Sequence, residues 1–266
     1  MSFHIHPTAI VASEAQVDND VIIGPYCVIG AEVRIGKGSE LMSHVVIAGR
    51  TSLGENNRIF PFASIGHEPQ DLKYHGEASE VIIGNQNTIR ENVTVNPGTE
   101  GGGMVTRIGN GNMLMAYAHV AHDCILGDNV ILANCATLAG HVEIDDGAII
   151  GGLAAIHQFV RIGRYTMMGG MCGVNKDVPP YCLVTGGYRA GLGGLNLVGL
   201  KRQGFSLKQV QRLKEMYRIL LQESGKLDKR LDEASGVAGD DSHAQHLLEF
   251  VRTAKRGVTM HGRESE

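Results

Sequence analysis

Residues 120 to 150 read "VAHDCILGDNVILANCATLAGHVEIDDGAII", with an aliphatic residue at Val120, Leu126, Leu132, Leu138, Ile144 and Ile150. A spacing of six fits neither the 3.6-residue period of an amphipathic helix nor the simple alternation of a long strand. The same phase runs outward in both directions. Towards the N-terminus it is held by Ile5, Val11, Val17, Ile23, Ile29, Ile35, Leu41, Ile47, Leu53, Ile59 and Ile65, then by Ile83, Ile89 and Val95, and it restarts at Ile108 and Leu114. Towards the C-terminus it continues through Ile156, Ile162, Met168 and Val174.

The residue two places earlier is small or β-branched (Ala9, Ala15, Val21, Cys27, Val33, Thr51, Ala63), so two residues of every six point inward. The residue that follows is often Gly (Gly24, Gly30, Gly36, Gly84, Gly109, Gly127), as expected if the chain turns a corner there on a permissive backbone. Three hexapeptides make one triangular coil of roughly 18 residues, and stacked coils make a parallel β-helix. Such a prism is too thin for large rings. The chain has 36 Gly, no Trp and only 5% aromatic residues.

Two stretches break the period. Residues 67 to 80, "HEPQDLKYHGEASE", are polar, and residues 96 to 107, "NPGTEGGGMVTR", are rich in Gly. Both are expected to be loops on the prism, a favoured place for binding groups on a rigid scaffold. The period ends after "DVPPY" (177 to 181), and helical patterning follows. Ser206 is a candidate N-cap for a helix whose apolar face is Leu207, Val210, Leu213, Tyr217, Leu220 and Leu221. Another helix is expected to start near Asp241 or Ser242, with a weaker candidate at 225 to 235. The expected organisation is a parallel β-helix over residues 1–185 and a small α-helical C-terminal domain over residues 186–266.

Bulk properties exclude several classes. The net charge is −4, and thirteen of the 24 Lys and Arg residues follow residue 200. Nothing in that distribution calls for nucleic acid, which usually needs a strongly basic face. No run approaches about 18 uninterrupted apolar residues, so no membrane insertion is expected. Five cysteines with no CxxC pair fit a reducing cytoplasm better than a disulfide framework.

The chemistry is expected where histidines interrupt the aliphatic repeat. Val120 points inward, so His119 and His122 point outward, and His141 and His157 follow within 40 residues on later coils. Three readings fit. His122 is a general base whose tautomer is held by Asp123 or a backbone carbonyl. Alternatively, the histidines bind zinc between subunits, as in the gamma class of carbonic anhydrases on the same fold. In the third reading the prism is an inert scaffold. No nucleophile motif such as GxSxG is present, so the simplest enzyme is one in which histidine activates an acceptor hydroxyl directly.

The chain resembles the UDP-N-acetylglucosamine O-acyltransferases, the family that begins lipid A synthesis. The likeness rests on "IHPTAIV" (5–11), "ASIG" (63–66) followed by "PQDLKYHGE" (69–77), "AHVAHDC" (118–124), "ATLAGHV" (136–142), "AIIGGLAAIHQFVRIG" (148–163), "DVPPY" and "NLVGLKRQGF" (196–205). The resemblance implies a homotrimer of left-handed parallel β-helices with sites between neighbouring prisms. It implies transfer of an (R)-3-hydroxyacyl chain from the phosphopantetheine of acyl carrier protein to the 3-hydroxyl of UDP-N-acetylglucosamine, with no metal and no cofactor of the enzyme's own. Carried over by motif, His122 is the general base, Asp123 orients it, and the Gly140 N–H stabilises the thioester oxyanion. Asp71 and Lys73 hold the sugar and its phosphates, Gln70, His119, His141, His157 and Gln158 line the cleft, and Asn196 and Arg202 contact the nucleotide. Gly170 matches the position that sets acyl length and leaves the groove open to chains of about C12 to C14, while Tyr188 stands where some relatives have a smaller imidazole and shortens the reach. Val198 replaces an acidic residue, and Asn96 a histidine, of the family's best-known members. Those two departures permit an acceptor bearing a 3-amino group, which would give an N-acyl product.

Overall fold

A computed structural model of the chain describes residues 5–261. Each turn of the repeat becomes a two-residue strand ending on the aliphatic residue, such as Ile22–Ile23, Val28–Ile29 and Arg34–Ile35. Successive coils pair in parallel 18 residues apart, as in Ile10↔Val28 and Val120↔Leu138. Among the described residues the strands form three sheets of nine, eight and ten strands, the faces of a triangular prism. The chain visits them in the order first, second, third. The first contains His119–Val120, the second Ile125–Leu126 and the third Ile131–Leu132. The fold is the expected parallel β-helix.

The core is a set of stacked columns. Ile23, Leu41, Ile59, Ile89, Leu114, Leu132, Ile150 and Met168 repeat on one face and are all buried. The inward column two places earlier is not apolar throughout. Asn57 Oδ1 accepts from the Asn87 backbone N–H at 2.9 Å, Asn87 Oδ1 from that of Asn112 at 2.8 Å, and Asn112 Oδ1 from that of Val130 at 2.7 Å. A ladder of buried amides thus crosses the middle of the prism, each carbonyl tied to the next coil.

The corners differ from the expectation drawn from glycine. The residue with left-handed φ stands three places after the aliphatic one, as at Tyr26, His44, Phe62, Asp123, His141 and Phe159. The glycines directly after the aliphatic residue serve close packing instead. A β-carbon on Gly84 would come within 2.7 Å of the Gly109 carbonyl oxygen, and one on Gly109 within 2.6 Å of that of Gly127. They let one coil settle on the next.

The two irregular stretches are loops, at 66–79 and 96–104. They stretch the pairing to Glu80↔Arg50 and Glu80↔Val105, and the second contains one 3₁₀ turn, Glu100–Gly102. After Gly173–Val174 the third sheet is finished by Cys182–Thr185 and the antiparallel return strand Gly191–Leu195. The Gly-rich run before the helices is therefore sheet, and the first helix begins beyond it. Helices α1 (Leu197–Arg202), α2 (Leu207–Tyr217), α3 (Leu227–Ala238) and α4 (Ser242–Arg252) form the cap. Ser206 caps α2 in a capping box with Gln209, and Asp241 caps α4. Phe205 packs on Tyr165 and Tyr181 of the prism at ring separations of 6.0 and 5.8 Å. Arg161 ties the two parts together, donating to Asp177 at 2.9 Å and to the Phe250 carbonyl at 3.1 Å.

Candidate functional site

His122 and Asp123 occupy the edge between the first and second faces, immediately after the strand His119–Val120. Asp123 takes the left-handed corner at φ 59°, a conformation that aspartate tolerates better than most residues. The corner turns its carboxylate back under the Gly-rich loop, where the side chain has no exposed surface. The His122 ring lies beside it, with Nδ1 2.8 Å from Asp123 Oδ2. A carboxylate only accepts, so in the neutral ring it is Nδ1 that carries the proton and Nε2 that carries the lone pair. Asp71 Oδ2, from the first loop, lies 4.0 Å from that Nε2. The geometry needed for a general base is present.

The coil above supplies Gly140 and His141 at the equivalent corner. A β-carbon on Gly140 would lie 2.4 Å from His122 Cε1, so only glycine leaves room for the imidazole. Gly140 is buried, and its N–H donates to no backbone carbonyl among the described residues. His141 meets His122 edge to face with ring centroids 5.0 Å apart, and Phe159 from the next coil stacks on it at 4.2 Å. Burial holds the His141 imidazole below its ordinary pKa, with Asp123 opposing. His119 pairs through Nδ1 with Thr94 Oγ1 at 2.7 Å, and burial, with His122 nearby, lowers its pKa too. Both side chains are therefore biased towards the neutral form.

His122, Asp123 and His141 place one ligand atom each within 4.8 Å of one another, the arrangement a metal ion would need. The carboxylate is already engaged. Thr99 donates its N–H to Asp123 Oδ1 at 2.9 Å and its hydroxyl to Oδ2 at 2.6 Å, while Oδ2 also takes the His122 proton. A metal on Oδ2 would have to displace one of those donors.

The remaining residues singled out from the sequence are dispersed. Gln70 and Lys73 are exposed on the first loop, and His157 and Gln158 are exposed one coil above His141. His157 Nδ1 lies 3.4 Å from the Arg256 guanidinium. Asn196 is occupied within the fold: its Oδ1 caps α1 by accepting from Gly199 N–H at 3.0 Å, and its amide donates to the Tyr165 carbonyl at 2.9 Å. That contact places Asn196 near the edge between the second and third faces, and Arg202 is exposed at the end of α1. Gly170 lies on the edge between the third and first faces, between Met167–Met168 and Gly173–Val174. Tyr188 is 89% exposed and pairs with Gly173 at the end of the first face. Asn96 holds the root of the first loop, donating to the carbonyls of His67 and Glu68. Val198 is exposed in the first turn of α1.

Sequence reasoning did not single out Thr99, Thr94 or Phe159. Phe159 had a usable signal, since it falls one full coil after His141. Thr99 had only its place in the Gly-rich stretch.

A cleft of about 520 Å³ opens beside the histidines, lined by Gly102, Asp123, His141, Phe159, Lys255 and Arg256 among others. Among the described residues no helix is long and apolar enough to cross a membrane.

Residues 177–259 match the family described as UDP N-acetylglucosamine O-acyltransferase, domain 2, and residues 106–140 match the bacterial transferase hexapeptide family. The acyl-[acyl-carrier-protein]--UDP-N-acetylglucosamine O-acyltransferase of Thermodesulfovibrio yellowstonii is 51% identical over 254 residues, covering 96% of this chain and 98% of that one. The protein of the same name from Nautilia profundicola is 50% identical over 207 residues, 78% of this chain and 79% of that one. Among solved structures, LpxA from Acinetobacter baumannii superposes with a TM-score of 0.93 at 43% identity, covering 96% of this chain and 99% of that chain.

Proposed function

The chain belongs to the UDP-N-acetylglucosamine O-acyltransferase family and is an acyltransferase on a left-handed parallel β-helix; from that premise we propose that it moves an (R)-3-hydroxyacyl chain from acyl carrier protein to the 3-hydroxyl of UDP-N-acetylglucosamine, the first step of lipid A synthesis. The observation that carries the mechanism is the His122 Nδ1 contact to buried Asp123 at 2.8 Å, which leaves Nε2 free to accept a proton. His122 Nε2 takes the proton of the sugar hydroxyl as that oxygen attacks the thioester carbonyl carbon. The negative charge that develops on the carbonyl oxygen is met by the Gly140 N–H. The carbon–sulfur bond then breaks, and the imidazolium returns its proton to the departing phosphopantetheine thiol. Asp123 holds the ring and offsets its transient charge. Asp71 and Lys73 orient the sugar and its phosphates, with Gln70, His119, His141, His157 and Gln158 around them and Arg202 on the diphosphate. Because the acyl group arrives on the carrier protein, the transfer needs no cofactor of the enzyme's own to carry it.

Two observations support a homotrimer. His122 stands on the edge between the first and second faces and Gly170 on the edge between the third and first, so one prism walls a groove shared by both on one side only. A neighbouring copy completes the cleft. The edge that bears Gly170 also carries Phe62, Tyr117, Leu153 and Met171, between 56% and 70% exposed, an apolar column suited to contact with a second copy. A soluble cytoplasmic trimer handling a nucleotide sugar and a carrier protein is the form in which we expect it to act. Sedimentation equilibrium of the purified chain tests that state.

A 3-amino acceptor is the second reading. Asn96 Oδ1 is buried with no hydrogen-bond partner among the described residues, and Val198 offers no carboxylate. Paired turnover with UDP-sugars carrying a 3-hydroxyl or a 3-amino group decides between them. The test of the mechanism itself is His122→Ala, which should leave a folded protein with almost no transfer. Turnover close to that of the parent enzyme would remove His122 as the base.

A further inference from the structure

The Gly-rich loop at 96–104 carries a role that the reaction scheme leaves unassigned. Its glycines allow the loop backbone to lie directly against the Asp123 carboxylate. A β-carbon on Gly102 would fall 2.0 Å from Asp123 Cγ, and one on Gly98 2.8 Å from Oδ1. Between them Thr99, only 5% exposed, donates twice to the same carboxylate, from its N–H to Oδ1 at 2.9 Å and from its hydroxyl to Oδ2 at 2.6 Å. Thr99 stands at the N-cap position of the 3₁₀ turn, yet its hydroxyl caps nothing there. That hydroxyl is committed to Asp123.

Two histidines compete for the oxygen it holds. His122 Nδ1 is 2.8 Å from Asp123 Oδ2, and His141 Nδ1 is 3.9 Å from the same atom. A carboxylate pinned at both oxygens cannot swing from one ring to the other, whereas one held only by the backbone N–H at Oδ1 can turn about that contact. We propose that Thr99 is a positioning residue for the transfer: its hydroxyl fixes the Asp123 carboxylate towards His122 and away from His141, and so fixes which imidazole presents a free Nε2. The Thr106 hydroxyl, which accepts from the Asp123 N–H at 2.8 Å, anchors the backbone beneath it.

The inference rests on His122 being the base, and its test separates the two. Thr99→Ser keeps the hydroxyl and Thr99→Ala removes it, with the backbone N–H retained in both. We expect Thr99→Ala to lower kcat by about 10-fold to 100-fold, with KM for both substrates within about twofold, and Thr99→Ser to restore most of the loss. In the intact trimer, proton NMR should show a low-field Nδ1–H resonance, identified by its loss in His122→Ala. It should be lost or shifted in Thr99→Ala and recovered in Thr99→Ser. In a His122→Ala background, Thr99→Ala should add no further loss, because it acts through that ring. Equal activity and an unchanged resonance in the Ser and Ala variants would overturn the positioning role while leaving His122 as the base. An active His122→Ala enzyme would instead overturn the base, whatever Thr99 does. If Thr99→Ala does not fold, Thr99→Val, close to threonine in shape, carries the same comparison.

Discussion

His122 lies over Gly140 so closely that a β-carbon at position 140 would come within 2.5 Å of the imidazole Nε2. The contact joins two proposed roles, because the glycine that makes room for the proposed base also presents the N–H proposed for the oxyanion. Gly140→Ala keeps the N–H and forces the ring aside. The clash is with a side chain at the edge of a cleft, so the coils can keep their pairing. We therefore expect kcat to fall by about 100-fold or more, as when a catalytic group is displaced by about an ångström, with little change in the melting temperature. A Gly140→Ala enzyme with parental kcat would show that the ring does not need its present position.

Asp123→Asn tests the orientation of the base. The amide is nearly isosteric, but it has a single acceptor oxygen and its NH₂ group only donates, so it cannot serve the Thr99 N–H at the Oδ1 place and the His122 Nδ1–H at the Oδ2 place together. With the amide oxygen held by the Thr99 N–H, the nitrogen faces Nδ1 and favours the tautomer that carries its proton on Nε2. That ring cannot take a proton from the acceptor. A fall in kcat of about 10²-fold to 10⁴-fold is expected in steady-state turnover, with the oligomeric state unchanged by sedimentation.

Folding stability should depend on pH near neutrality. Burial lowers the pKa of His119, His141 and His243 in the folded chain below the ordinary 6.5. As pH falls, the unfolded chain therefore takes up protons before the folded one does. The stability these neutral imidazoles contribute is present above 6.5 and is lost as pH drops through their folded-state values. Urea midpoints measured from about pH 7.5 down to about pH 5.5 should decline, and His141→Asn should flatten part of that decline. A midpoint that rose towards pH 5.5 would contradict the sign.

The prism was legible because its signal is geometric. Inward residues must be aliphatic at each sixth place, so the period survives even across loops, as from Ile65 to Ile83. His122 and Asp123 were legible for the same reason, since the phase turns the histidine outward beside its neighbour. Thr99 was not, because a contact spanning 24 residues from a Gly-rich loop leaves no period to read. The inward ladder Asn57, Asn87 and Asn112 did carry the period, but polarity hides it in a pattern sought as apolar. The glycines that follow many of the aliphatic residues are visible in the sequence, but their task is not. Stacking of coils requires them, whereas the left-handed corners fall on residues such as Tyr26 and His141. Asn196 has a structural task that its motif does not announce, since its side chain bridges α1 and the Tyr165 carbonyl.

Acyl length should respond to Tyr188. On the outer side of the first face, the register His119↔Thr137↔Ala155↔Gly173↔Tyr188 makes a column of shrinking side chains closed by a large ring. Its four rungs span about 19 Å at about 4.8 Å per rung, and it starts beside His122 and Asp123. An apolar hollow of about 240 Å³ lies at its far end, lined by Ala155, Gly173, Val174 and Tyr188 among others. If the chain lies along this column, the phenol ring is the wall it meets. Tyr188→Ala should then move the preferred donor towards longer chains, each additional buried CH₂ contributing about 0.8 kcal/mol, or roughly fourfold in kcat/KM. Gly170→Met should act in the opposite direction by filling the groove from the neighbouring edge. Competition among hydroxyacyl carrier proteins of roughly C10 to C16 reads both variants in one assay. An unchanged preference in Tyr188→Ala, beside a shift in Gly170→Met, would place the end of the groove at the edge and not on the face.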